Sequence, residues 1–270
     1  MIDVSKIDYS ALDVPLVLSV LFHPRADYGL DAGPDGSVNI AIPVDDKVDI
    51  GARFHLAGPE YPNILFFHGN GEIVSDYDDL GPLYKRLGLN FMAVDYRGYG
   101  RSGGRPTVTD MMRDAHRVLA FVQRWLTENK HTGPLIVMGR SLGSASAIEL
   151  AHHYPHQVKG LIVESGFAYG DPLLALLGVD LNALKIKPGM FDNLDKIKTY
   201  HQPTLIIHAE YDHIIPFRDG QALYDAIEAG DKVLVKVPGA NHNTIFAHGL
   251  EAYMSAVKDL ADRVAGQTGL

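Results

Sequence analysis

Along this chain, eight strand-length apolar runs alternate with longer stretches of helical periodicity. The runs are Val38–Val44, Val48–Leu56, Asn63–Phe67, Asn90–Asp95, Leu135–Gly139, Gly160–Glu164, Pro203–His208 and Lys232–Val237. Several contain segments that are apolar at every position, so they must be covered on both faces, as strands of a parallel sheet flanked by helices are. Helical spacing occupies Thr107–Asn129, Ser144–Tyr154, Asp219–Ala229 and Thr244–Ala265. The first two runs adjoin without a helix, and the others alternate with helices. The chain is therefore expected to be α/β, with an antiparallel start feeding a mostly parallel, doubly wound sheet of eight strands.

Composition narrows the class further. Twenty-four basic and 33 acidic residues give a net charge of −9, and 46% hydrophobic against 21% charged residues is ordinary for a globular protein. Its 270 residues can bury a sizeable core without staples. An acidic chain without basic clusters argues against nucleic acid as a partner. There is no cysteine, which removes disulfides, thiolate metal sites and a cysteine nucleophile. No stretch reaches the roughly 20 apolar residues of a membrane span. Val14–Phe22 has the length of a signal-peptide core, but Asp3, Asp8 and Asp13 precede it and His23-Pro24-Arg25 follows in place of a small-residue cleavage site. Residues 1–37 are expected to pack as an N-terminal segment on a domain spanning 38–270, and the protein is expected to be cytoplasmic.

In such sheets ligands gather at the carboxyl ends of the strands. After Leu135–Met138 comes Gly139-Arg140-Ser141-Leu142-Gly143, followed by alanine-rich helix. G-x-S-x-G between strand and helix is a nucleophile elbow: the serine sits on a tight turn, and the flanking glycines let the two backbones approach. The N–H of Leu142 then faces any oxyanion that develops there. A serine hydroxyl needs a histidine base oriented by a carboxylate, in the chain order Ser, Asp or Glu, His. Asp212 follows the strand ending at His208, and His242 follows the last strand. The third strand ends in His68-Gly69-Asn70-Gly71-Glu72, where the N–H of Asn70 can supply a second oxyanion donor.

Each role has rivals. Glu164 also ends a strand and competes with Asp212 as the acid. Asp212 is preferred because its loop carries the D-x-x-x-P pattern of a positioned carboxylate. His152, His153 and His156 cluster near a helix end, but no thiol or carboxylate completes a metal set, and no metal or cofactor is expected. His68 reads as a structural tie within its loop. Glu72 is expected to cap the next helix and Glu210 to shape the Asp212 loop. Asp95 and Arg97 are expected to pair and brace the Asn70 loop. The Gly-rich run after Asp95 lacks dinucleotide and P-loop spacing.

Taken together, these motifs resemble the α/β-hydrolase superfamily, and within it the single-domain serine esterase and thioesterase-like branch whose oxyanion loop reads HGN. The resemblance runs from about Val38 to the last helix. It implies Ser141 as nucleophile, Asp212 as acid and His242 as base, with the N–H groups of Asn70 and Leu142 as oxyanion hole. One departure is Ala209-Glu210, where members often carry glycine. Serine at 141 disfavours relatives that use an aspartate nucleophile. The implied activity is hydrolysis of carboxylic esters or thioesters of a small-molecule substrate. Acyl transfer, peptide cleavage and lactone opening share the machinery, and a non-catalytic binding protein on the same scaffold is the alternative from another class.

Between the sixth and seventh strands, Asp192 to Tyr200 reads as the returning helix. Phe167 to Phe191 is left for a cap, with Leu173 to Leu177 as its one apolar stretch. So small a cap predicts short to medium acyl groups, with no activation at lipid interfaces.

Overall fold

The computed structural model describes residues 2–29, 33 and 36–268. Strands β1 (Ser37–Asp45), β2 (Val48–His55), β3 (Asn63–Phe67), β4 (Asn90–Val94), β5 (Leu135–Arg140), β6 (Gly160–Glu164), β7 (Thr204–Ala209) and β8 (Lys232–Val237) form one sheet in the order β1-β2-β4-β3-β5-β6-β7-β8. The pairs β1–β2 and β2–β4 are antiparallel and all others parallel, as the uninterrupted hairpin at the start of the chain required.

The continuously apolar strands have a simple cause. Ile64 and Phe66 of β3 fall in one buried cluster, and Leu65 and Phe67 fall in another; Ile136/Met138 and Leu135/Val137 of β5 divide in the same way. Successive side chains point to opposite faces, so both faces need apolar residues where helices cover both. Helix α3 (Val108–Glu128) and α4 (Gly143–His153) contribute to the first cluster, and α2 (Gly81–Arg86) and α8 (Ile245–Thr268) to the second. At the exposed edge, β8 carries Lys232 and Lys236, charges that discourage pairing with another chain.

Two helix expectations are revised, and one segment gains a helix that the sequence reading did not assign. The N-terminal apolar segment contains a seven-residue helix, α1 (Pro15–Leu21), with Pro15 in its first turn. The returning segment at Asp192–Tyr200 holds only one helical turn, α6 (Leu194–Ile197), preceded in the cap by α5 (Gly170–Leu176) and followed after β7 by α7 (Phe217–Ala226). The helix expected over Thr244–Ala265 runs on to Thr268 but breaks its geometry at Gly249. A Cβ at Gly249 would lie 2.6 Å from Val237 Cγ1, so the chain bends where it crosses β8. Among the described residues, no helix is long and apolar enough to cross a membrane.

Candidate active site

Ser141 has φ +52°, a left-handed conformation that costs energy for any residue with a Cβ. The turn holds because both flanking glycines are required by contact. A Cβ at Gly139 would meet Gly143 O at 2.2 Å, and one at Gly143 would meet Phe67 O at 2.1 Å. The serine is thereby lifted off the end of β5, directly before α4.

The structure brings Ser141, His242 and Asp212 together from three strand ends. His242 Nε2 lies 3.0 Å from Ser141 Oγ, and His242 Nδ1 lies 2.7 Å from Asp212 Oδ2. All three are buried. Asp212 Oδ1 accepts from the N–H groups of Ile214 and Ile215 at 3.0 and 2.8 Å. Burial pushes the Asp212 carboxyl up, but the hydrogen bond and charge of His242, with the Ile215 N–H, outweigh it and hold the group below the usual range. His208, 3.6 Å from Asp212 Oδ2, is lowered chiefly by burial and bonds to the Ile215 carbonyl at 2.8 Å.

Among the described residues, the N–H groups of Asn70 and Leu142 have no protein acceptor, although both border the cavity beside Ser141. The Asn70 side chain is pinned: its Oδ1 accepts from His23 N and Tyr99 Oη at 2.8 Å, and its Nδ2 stands 2.7 Å from His23 Nδ1. His68 ties its loop through Nδ1 to Gly69 O at 2.8 Å and Nε2 to Asp95 Oδ1 at 3.2 Å. Glu210 accepts from Lys236 and from the N–H of Gly239, joining the Asp212 and His242 loops.

Two pairings differ from expectation. Arg97 does not bind Asp95; it forms a two-pronged pair with Asp114 of α3 at 2.6 and 3.0 Å. Asp95 instead receives the N–H of Val74 and faces His68. Glu72 does not cap the following 3₁₀ turn, where Asp76 accepts the Ile73 N–H. It accepts from Gly69 N and Tyr77 Oη at 2.7 and 2.6 Å and pairs with Arg140. Arg140 also reaches Glu164 at 3.0 Å and the His242 carbonyl at 2.8 Å. Glu164 is fully buried, and burial raises its carboxyl although Arg140 and Tyr253 partly offset this. Its hydrogen-bonded link to the His242 loop runs through Arg140.

The cavity holds about 320 Å³. Its apolar wall is made by Val20 and Leu21 of α1, Leu173 and Leu177 at the cap helix, and Ile214 and Ile215 beside the acid. Leu174 of the same cap helix turns into the core, so the cap leucines divide between core and cavity. The α1 residues were not foreseen; a seven-residue apolar stretch does not reveal which surface it docks on.

The expected absence of a metal set at His152, His153 and His156 concerned the wrong partners. Among the described residues, His116, Glu149 and His153 place ligand atoms within 4.8 Å of one another. Glu149 is already paired at 2.8 Å with the buried ammonium of Lys196, a cation that opposes a divalent ion on the same carboxylate. The cluster reads as an ion-pair network.

A mostly parallel sheet carrying a serine on a strained strand–helix turn, hydrogen-bonded to a histidine–aspartate pair, defines a hydrolase-type α/β protein. The family model for "Serine aminopeptidase, S33" matches residues 59–187. An uncharacterized protein of Mycobacterium tuberculosis is 30% identical over 224 residues, covering 82% of this chain and 76% of that one. Alpha/beta hydrolase domain-containing protein 17B of Homo sapiens is 31% identical over 208 residues, covering 74% and 66%. Among solved structures, a Pyrococcus furiosus esterase superimposes with a TM-score of 0.72 at 18% identity, over 91% of this chain and 98% of that one. Est1E of Butyrivibrio proteoclasticus, with ferulic acid bound, gives 0.69 at 19%, over 82% and 96%. The chain belongs to the α/β-hydrolase superfamily.

Proposed function

We propose that this protein is a serine hydrolase of the single-domain esterase and thioesterase-like branch, cleaving esters or thioesters of short to medium acyl groups through an acyl-serine intermediate. The observation that carries this is the continuous chain Ser141 Oγ to His242 to Asp212 at 3.0 and 2.7 Å, facing a cavity. His242 Nε2 takes the proton of Ser141 as Oγ attacks the acyl carbon. Asp212, held ionised, keeps the proton of His242 on Nδ1 and stabilises the imidazolium. The N–H groups of Asn70 and Leu142 receive the oxyanion. Collapse expels the alcohol or thiol with the proton from His242, and water, activated by the same base, releases the acid.

Esters are favoured over aminoacyl substrates for a reason within the cavity. An aminopeptidase must receive a substrate ammonium. Among the described residues lining the cavity, the only carboxylate is Glu72, which is already engaged by Arg140, Gly69 and Tyr77.

The test is labelling by a fluorophosphonate and turnover of acyl esters, thioesters and aminoacyl substrates, with Ser141→Ala as control. Labelling of Ser141 is expected, with kcat for the best ester falling about 10⁴-fold in the variant. Near-normal turnover by purified Ser141→Ala, or preference for emulsified long-chain triglycerides over soluble short esters, contradicts the reading.

A further inference from the structure

Resting on the serine-hydrolase reading above, we propose that the N-terminal arm is part of the active site. In this proposal α1 is the wall that sets the length of the acyl group, and Val20 is its specificity-determining residue. The arm lies outside the segment matched by the family model, residues 59–187.

The helix is fixed at both ends. Before it, Asp13 Oδ1 accepts from the N–H groups of Val108 and Thr109 at 2.7 and 3.2 Å, capping α3, and Arg113 donates to the Ile7 carbonyl at 2.9 Å. After it, Gly100 N donates to Arg25 O at 2.9 Å and Asp27 N to Gly100 O at 3.0 Å. Arg25 Nε reaches the Gly71 carbonyl at 2.8 Å and also pairs with Asp76. His23 grips both ends of the Asn70 amide, so the wall is registered against the loop that would hold the oxyanion. An acyl carbon placed beside Ser141 therefore lies at a fixed distance from α1.

The faces of α1 divide the work. Val17 and Leu21 are buried and anchor the helix, while Leu16 is 47% exposed. Val20 is half-buried on the flank, with the cavity before it and the cap leucines Leu173 and Leu177 also lining the space. A volume of about 320 Å³ lies at the small end of ligand sites and suits a medium-length uncharged acyl group. The substrate class is thus an apolar acyl ester of medium length, closed off by α1 and not by the cap alone.

The experiment is a chain-length profile of kcat/KM on p-nitrophenyl esters from two to twelve carbons, read on wild type, Val20→Phe, Val20→Ala and Leu16→Ser. Val20→Phe is expected to shift the optimum at least two carbons shorter. Val20→Ala is expected to raise the ratio of ten-carbon to four-carbon turnover at least fivefold. Leu16→Ser, on the same helix but outside the cavity, should keep the wild-type profile. Unmoved profiles in both Val20 variants, with esterase activity intact, overturn the role of α1 and leave the hydrolase reading standing. An equal shift in Leu16→Ser overturns it too, because the helix would then act only through general packing. A wild type that turns over neither these esters nor the corresponding acyl thioesters overturns both readings.

Discussion

Arg140 donates from Nη2 to the carbonyl oxygen of His242 at 2.8 Å, so the residue directly before Ser141 holds the loop that carries its histidine partner. The same guanidinium pairs with Glu72, which accepts the Gly69 N–H beside Asn70, and with Glu164 at the end of β6. One planar cation thereby connects the Asn70 loop, the His242 loop and the sheet. Burial disfavours its charge, but Glu72 and Glu164 more than compensate and raise its pKa.

Lysine cannot reproduce this fork, because its ammonium is a point charge without the planar donor set. Arg140→Lys is expected to lower kcat about tenfold or more with little change in KM, as loss of positioning in the transition state does. Arg140→Met, which strands the buried Glu164 and the half-buried Glu72, should also cost about 3–5 kcal/mol of stability. Steady-state kinetics paired with urea unfolding checks both. A Lys variant with wild-type kcat would reduce Arg140 to a structural part.

The two carboxylates near His242 are expected to separate by function. Asp212→Asn removes the charge that orients the imidazole, and a loss of about 10⁴-fold in kcat is expected with an unchanged melting curve. Glu164→Gln leaves the His242 Nδ1 contact in place and makes no hydrogen bond to the imidazole, so its effect on kcat should be far smaller. Measuring kcat for both variants decides the matter; the reverse order would move the acid to Glu164.

The fold and the meeting of Ser141, Asp212 and His242 were legible because their signals are local. Each residue lies in the turn or loop after a strand marked by its apolar run, and parallel topology carries those strand ends to one edge. What was not legible depends on partners distant in sequence. Arg97 looked like a partner for Asp95 two residues away, yet it turns to Asp114 because α3 packs its buried face there. Glu72 looked like a cap, but Arg140 arrives from β5 to claim it. Val20 and Leu21 gave only a short apolar stretch, and a capping aspartate 95 residues from its target is invisible in the sequence. Long-range ion pairs and the docking of short helices are set by tertiary packing, which periodicity does not encode.

The network around Glu149 yields a stability prediction. Its Oε1 faces His116 Nε2 at 3.4 Å and His153 Nε2 at 3.1 Å, and its Oε2 faces Lys196 Nζ at 2.8 Å. Lys196 also donates to Tyr9 Oη at 2.8 Å, so the carboxylate joins α3, α4, α6 and the N-terminal arm. Burial pushes the Glu149 carboxyl up, but the two histidines and Lys196 outweigh it and hold it far below the usual range. A depressed carboxyl contributes stability that is complete above its unfolded value, about 4.3, and drains away as pH falls toward the folded one. Lys196 runs the other way: burial lowers it, Glu149 and Tyr9 raise it further, and its contribution is lost only as pH climbs past about 10.4. Glu149→Gln leaves the ammonium buried without its counter-charge and should cost about 3–5 kcal/mol near neutral pH. It should also flatten the fall in stability below about pH 4, where Glu149 of the unfolded chain takes up a proton that the folded carboxylate still refuses. Urea midpoints from pH 3 to 8 for both proteins test this, and an acid limb equally steep in the variant would show that other carboxylates govern it.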